Sequence, residues 1–260
     1  MGILKGKKIL ITGILNEKSI AFGIAKSMYK QEAELIFVCQ NKKIINKIKY
    51  LIKSINYNTI FFCDVSHDEN IKELFFNIKK VWNNFDGLVH SIAYCPKKQM
   101  HEDFVESSSR KSFNICHEIS SYSFLSMARE CKNMLNKFSS LVTLSYLGSQ
   151  KIVSNYNMMG LAKSSLEANV RYMANSLGKN NIRVNAISSG PIKTTSSYQI
   201  KNFNKIQKIH KLFSLTKNHV SSEEIGNVAA FLCSDLSIGI TGSIINVDHG
   251  FNLNGINSII

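Results

Sequence analysis

The stretch Ile11 to Lys26, ITGILNEKSIAFGIAK, carries the residue types of a phosphate-binding turn with few of the usual glycines. Gly13 stands at the end of a strand pattern and the next glycine, Gly23, comes ten residues later, so G-x-G-x-x-G is absent. Phosphate binding needs free N–H donors and the positive dipole end at a helix start, and glycine is only one way to expose them. Ser19 is placed as the N-cap of a helix reading SIAFGIAKSMY, where its hydroxyl and the first-turn N–H groups would hold a pyrophosphate. Gly23, one turn in, is expected to let that helix approach the sheet closely. Taken alone, such a strand–turn–helix is plain structure as often as a ligand site. Further along, Tyr156 and Lys163 are seven residues apart. At about 100° per residue, seven steps return to within roughly 20° of the starting face, so both project from one side of a single helix. A lone pair of this kind is usually a surface feature. Tyr146, ending the preceding strand pattern, adds a second phenol nearby.

The elements that must position these residues alternate regularly. Strand patterns run at about 8–13, 34–40, 59–65, 86–92, 139–146, 182–190 and 242–248, separated by amphipathic stretches such as ENIKELFFNIKKVW and NYNMMGLAKSSLEANVRYMANSLG. Continuous apolar strands between helices predict a parallel sheet covered on both faces: an α/β, Rossmann-type doubly wound fold of about seven strands. With 260 residues, two prolines (Pro96 and Pro191) and no low-complexity linker or repeat, residues 1–260 are expected to form one domain.

Composition bounds the function classes. No run of about 18 apolar residues appears, and MGILKGKKILITG has no signal-peptide layout, so a soluble cytoplasmic protein is the expectation. The six cysteines (Cys39, Cys63, Cys95, Cys116, Cys131 and Cys233) form no C-x-x-C pair and have no histidine at zinc spacing. Free thiols and no metal are expected. The net charge of +14 invites nucleic acid as a partner. The basic residues are dispersed, however, without aromatic interleaving or a recognition-module signature, and abundant Lys, Asn and Ile fit a coding sequence rich in A and T. Neither nucleic acid nor membrane is expected as a partner.

Several segments taken together are specific. Thr12-Gly13 followed six residues later by SIAFGIA, then NYNMMGLAKSSLEANVRYMA, IRVNAISSGPIKT and FLCSDLSIGITG, resemble the enoyl-acyl carrier protein reductases of bacterial fatty-acid synthesis. These are a divergent branch of the short-chain dehydrogenase/reductases, and the likeness runs from Leu4 to about Phe251. The branch departs from ordinary ketone and alcohol dehydrogenases in lacking Tyr-x-x-x-Lys, and here Met159 stands four residues before Lys163. The resemblance implies NADH-dependent reduction of the double bond of a trans-2-enoyl thioester. It assigns the Tyr156 hydroxyl to the developing enolate oxygen and Lys163 to the nicotinamide ribose. Tyr146 is the second catalytic tyrosine, polarising the carbonyl or shaping the pocket.

The resemblance also distributes the cofactor. Gly13, Ser19 and Ile20 would hold the pyrophosphate, Gln40 the adenosine ribose, and Asp64 and Val65 the adenine. Ser91 and Ile92 would lie beneath the cofactor, with Ile192 and Thr194 at the carboxamide and a phosphate. Gln40 stands where NAD enzymes usually carry an acid, with Lys42 and Lys43 close behind, so the residues alone leave NADH and NADPH open. A substrate lid is expected at about 194–214, with Ile200 and Phe203 facing the acyl chain and Ala93, Cys95, Met100 and Met159 completing an apolar slot. Lys201 and Lys205 would face outward at i,i+4 and dock the acidic acyl carrier protein. Two departures stand out: Asn204 where a further basic residue is common, and His249 where a glycine is usual. A homotetramer is expected, paired through the small residues Gly160, Ala162, Ser164, Ser165 and Ala168. The alternatives are a 3-ketoacyl or other short-chain dehydrogenase, or a dinucleotide-binding module without catalysis.

Overall fold

The computed structural model describes residues 1–254, so 255–260 of the expected domain lie outside the described residues. In chain order the elements are β1 (Lys8–Thr12), α1 (Ile20–Lys30), β2 (Glu34–Cys39), α2 (Ile45–Lys53), β3 (Ile60–Phe62), α3 (Asp68–Lys79) and β4 (Phe85–His90). There follow α4 (Phe104–Ser107), α5 (Arg110–His117), α6 (Ser123–Cys131), β5 (Leu135–Tyr146), α7 (Asn157–Gly178), β6 (Arg183–Ser189), α8 (Phe203–Phe213), α9 (Ser222–Cys233) and β7 (Ile244–Val247). A π-helical turn, Glu118–Tyr122, joins α5 to α6.

All seven strands run parallel in the order β3-β2-β1-β4-β5-β6-β7, the doubly wound sheet expected from the alternation. The apolar runs of β1, β2, β4, β5 and β6 are buried on both faces, and those of the edge strands β3 and β7 are half-buried. Ile9, Ile11, Phe37 and Val142 pack under α1, α2 and α9, while Leu10, Leu88, Leu141 and Val184 pack under α3, α6 and α7. A smaller cluster, including Cys95, Met100, Cys116, Tyr156 and Met159, lies at the carboxyl end of the sheet. Strand order reverses direction between β1 and β4, and ligands of open α/β sheets bind in the crevice above such a switch point.

Two strand boundaries differ from the sequence pattern. β5 starts at Leu135 and not near Ser139, because the register with β4 shifts between Phe85–Leu135 and Gly87–Ser140. Phe138 takes φ 66° within that irregularity, and the apolar alternation is hidden there. β3 is confined to 60–62, with one further ladder bond from Cys63 N to Cys39 O (2.9 Å) before the chain turns at Asp64.

Gly23 serves a different neighbour from the one expected. A Cβ there would lie 2.4 Å from Ser222 Cβ, and one on Gly226 would lie 2.8 Å from Gly23 O. The glycine therefore admits α9 against α1, and its role is helix–helix packing. His249 adopts φ 56°, a left-handed conformation that costs a non-glycine residue energy. Its Nδ1 lies 2.7 Å from Thr216 Oγ1, while Nε2 is 3.1 Å from the Glu224 carboxylate without hydrogen-bond geometry.

Candidate active site

The carboxyl ends of β1, β2, β4, β5 and β6 open into one continuous cleft of about 490 Å³. At its centre Gly13 has φ 82°, and a Cβ there would lie 1.9 Å from Ser91 O. The chain turns out of β1 directly against the end of β4, so only glycine fits. Ser19 takes the N-cap position of α1, but its side chain does not cap the helix. The Oγ instead accepts from Leu15 N (3.1 Å) and Asn16 N (3.0 Å), tying down the glycine-poor loop. The N–H groups of Ile20 and Ala21 consequently have no partner among the described residues. Free N–H groups at the start of an eleven-residue helix beside a turn closed to side chains fit a dinucleotide pyrophosphate.

The other cofactor positions fall along the same cleft. Ser19, Ile20, Gln40, Val65, Ser91, Ile92, Ile192 and Thr194 line it. Gln40 lies one residue beyond β2 and is exposed. Asp64 sits just outside the lining, where its Oδ1 accepts from Ser66 N (3.1 Å) and Ser66 Oγ (2.7 Å). The Lys42 ammonium lies over the Phe62 ring, 5.3 Å from its centre. Asn16 Nδ2 donates to Thr195 Oγ1 at 2.7 Å, joining the loop after β1 to the segment after β6.

At the other end of the cleft, Tyr156 immediately precedes α7 and Lys163 lies within its second turn. Asn157 between them takes φ 38°, so the two do not share one unbroken helical path as the seven-residue spacing predicts, although both line the cleft. Both are buried. The Tyr156 ring meets Tyr146 edge-on, with centroids 4.8 Å apart and planes at 67°. Gly148 makes room for it, since a Cβ there would lie 2.3 Å from Tyr156 Cδ1. Neither phenol hydroxyl has a hydrogen-bond partner among the described residues, and both tyrosines line the cleft. Burial raises the Tyr156 hydroxyl well above the ordinary tyrosine range and pushes Tyr146 up to about 12. Both therefore remain donors at neutral pH. Lys163 Nζ donates to Leu144 O at 2.7 Å, which leaves two of its three N–H bonds for the cleft. Burial lowers Lys163 to about 8, against the opposing pull of Glu167.

Ala93, Cys95, Met100, Met159, Ile200 and Phe203, the residues expected at the acyl chain, all line the cleft. The sequence reading missed Tyr94, Ile119, Val153 and Ile206, which also line it. Ile206 was within reach, one helical turn beyond Phe203, whereas Ile119 lies in the π-helical turn, which no sequence pattern announces. Cys116, beneath Cys95, has its Sγ 2.7 Å from the Cys95 Sγ, and all six cysteines are free and buried. The expected lid is two pieces, a short turn at Ser197–Gln199 and then α8. It is moored by Lys201 N to Met100 O (3.2 Å) and Gln207 Nε2 to Pro191 O (3.0 Å). Lys201 and Lys205 are exposed, but they do not share a helix face. Asn202, at φ 61°, breaks the helical path between them, so the i,i+4 relation does not hold.

The family described as enoyl-(acyl carrier protein) reductase matches residues 13–252. The chain belongs to the enoyl-acyl carrier protein reductase family. It is 63% identical over 259 residues to the NADH enoyl-acyl carrier protein reductase of Buchnera aphidicola from Acyrthosiphon pisum, with all of both chains covered. Identity to the Escherichia coli enzyme of the same description is 47%, covering 100% of this chain and 99% of that one. Among solved structures, the Anaplasma phagocytophilum enoyl-acyl carrier protein reductase in complex with NAD superposes with a TM-score of 0.94 at 34% identity. That alignment covers 99% of this chain and 96% of the other. No described helix of this reductase is long and apolar enough to cross a membrane. Among the described residues no cluster of His, Cys, Asp or Glu could hold a metal.

Proposed function

We propose that Tyr156 donates the hydrogen bond that stabilises the enolate oxygen and that Lys163 holds the cofactor ribose. The reaction is NADH-dependent reduction of the carbon–carbon double bond of enoyl-acyl carrier protein, the last reductive step of fatty-acid elongation. The observation that supports the residue roles is a buried, unpartnered phenol and a buried cation that line the same cleft. When bound, the nicotinamide supplies a hydride to the β-carbon of the enoyl thioester. Negative charge then develops on the thioester oxygen, and a fixed donor aimed there stabilises it without reorganisation. The Tyr156 hydroxyl has no competing protein acceptor, so its full donor strength is available. Lys163, with its Leu144 bond fixing the ammonium, directs its other N–H bonds at the ribose and adds positive potential.

Gly13 and the Ile20 N–H would receive the pyrophosphate, with Gln40 at the adenosine ribose. The open Oδ2 of Asp64 and the Val65 backbone would take the adenine. Ser91, Ile92, Ile192 and Thr194 complete the cofactor bed, and Tyr146 packs Tyr156 into place. The test of the lysine role is Lys163→Ala, for which a rise of about tenfold or more in the NADH dissociation constant is expected by calorimetry. Unchanged affinity would remove Lys163 from cofactor binding.

The exposed Lys201 and Lys205 flank the acyl entrance, and we assign them to docking the acidic carrier protein. Exposed charges steer association and are screened over about 10 Å at 0.1 M salt. Reversing both to Glu is expected to raise KM for the carrier-protein substrate at low salt, with the gap closing as salt rises. The coenzyme A thioester should be handled as by the wild type. Equal losses on both substrates would assign the lysines to the lid's own fold, and no loss on either would make them a solvated face.

A homotetramer is also proposed, on different grounds from the small residues of α7. Gly160 faces Gly148 O, Ala162 is fully buried, Ser164 bonds Ser149 O and Ser165 bonds Ser121 Oγ, so these four make contacts within the chain, while Ser164 is exposed and Ala168 half-buried. Leu161 and Tyr172, eleven residues apart and therefore on one face of α7, are both exposed apolar side chains. Apolar residues gathered on one face mark an association surface, and closed symmetry is the rule for soluble oligomers. Light scattering at micromolar concentration should give four chain masses, and a single chain mass would contradict it.

A further inference from the structure

We propose that Glu167 is a positioning residue of this site: its buried carboxylate anchors the β5–α7 turn and supplies the negative charge that keeps Lys163 a cation beside the cofactor. The inference rests on the role given to Lys163 above.

Glu167 is only 4% exposed. It follows Lys163 by four residues on α7, and side chains at that spacing are neighbours on one helix face. A buried acid is costly unless its oxygens are satisfied, and here three donors converge on it. Oε1 accepts from Ser145 Oγ (2.6 Å) and Ser149 Oγ (2.5 Å), and Oε2 accepts from Gln150 Nε2 (3.2 Å). Ser145 precedes Tyr146 in β5, while Ser149 and Gln150 lie in the turn that leads back to Tyr156. One carboxylate therefore ties the end of β5 to the first turn of the segment that runs from Tyr146 to Tyr156.

Its charge acts on the same groups. Burial draws Lys163 down to about 8, and Glu167 is the charged group that opposes this. Glu167 also contributes to holding the Tyr156 hydroxyl high, together with burial, Tyr146 and Cys95. A further titratable group near Lys163 is His90 on β4, bonded to Thr143 Oγ1 and Ser123 Oγ and lowered to about 3, so it carries no charge near neutrality. Tyr146, on β5, is raised to about 12 and is likewise uncharged. Arg171, one turn beyond Glu167, is exposed. Lys163 is a cation below about pH 8 and loses its proton above it. Without Glu167 burial acts unopposed, and the proton is lost at lower pH.

Glu167→Gln keeps the shape and removes the charge. Two readouts follow: the pH dependence of the NADH dissociation constant by fluorescence, and the pH dependence of acetic anhydride labelling of Lys163 in cofactor-free protein. In the wild type, NADH affinity should fall as pH rises through about 8. In Glu167→Gln both midpoints should move down by about one pH unit, the lower end of the effect of a nearby opposite charge. Glu167→Asp retains the charge and should restore the wild-type midpoint even if its Tm is lower. Gln150→Ala, which removes a donor but not the charge, should also titrate as the wild type does. A wild-type midpoint in Glu167→Gln, or an equal shift in Glu167→Asp, would overturn the proposal. A wild type whose NADH affinity shows no alkaline loss would contradict the Lys163 role, with the labelling midpoint still deciding that of Glu167.

Discussion

Tyr156→Phe is expected to lower kcat on an enoyl thioester by about 10²–10³, corresponding to about 2.7–4 kcal/mol, the usual cost of removing one donor from a developing oxyanion. The substitution is structurally clean. The hydroxyl has no protein partner, so its removal leaves no buried group unsatisfied. The phenylalanine ring can keep the edge-on contact with Tyr146 and the place that Gly148 provides. Because the donor acts chiefly in the transition state, the loss should fall on kcat and kcat/KM together. Lys163 and the cofactor bed are untouched, so NADH affinity should change by less than about twofold, a bound set by the absence of any altered cofactor contact. Steady-state kinetics with calorimetry on the same preparation checks both. A variant with wild-type turnover, or one defective mainly in NADH binding, would remove Tyr156 from the chemistry.

The fold was legible in the sequence because the strands of a doubly wound sheet are short apolar runs and little else resembles them. All seven appear near the expected places. Their ends carry most of the site, which is why Gly13, Ser91 and Ile192 fall on the cleft. Tyr156 and Lys163 both reach the cleft, but not by helical phase alone, because Tyr156 precedes α7 and Asn157 between them takes φ 38°. Failures occurred where a long-range contact or a backbone irregularity decides the outcome. Gly23 is matched to Ser222, about two hundred residues away, and no local pattern announces that partner. Ser19 holds the loop in front of it and not the helix behind it, a choice set by the loop's own turn. Lys201 and Lys205 lost their helical relation to one left-handed residue, Asn202. Glu167 was visible only as an i,i+4 neighbour of Lys163, and its three donors come from a turn whose path the sequence does not display.

The central claim is that this site reduces carbon–carbon double bonds and not ketones, and Met159 gives it a physical basis. Met159 stands four residues before Lys163, is 5% exposed and lines the acyl slot. A ketone reductase must deliver a proton to the alkoxide it forms, and a thioether has none to give. The phenol that is present, Tyr156, lies nearly a full turn earlier, against Tyr146. The direct measurement is NADH absorbance followed with crotonyl and acetoacetyl thioesters under identical conditions. Rapid loss of absorbance is expected with the enoyl substrate, and with the 3-keto substrate a rate lower by about 10²-fold or more, the contribution of a positioned proton donor. Faster turnover of the 3-keto substrate would contradict the account.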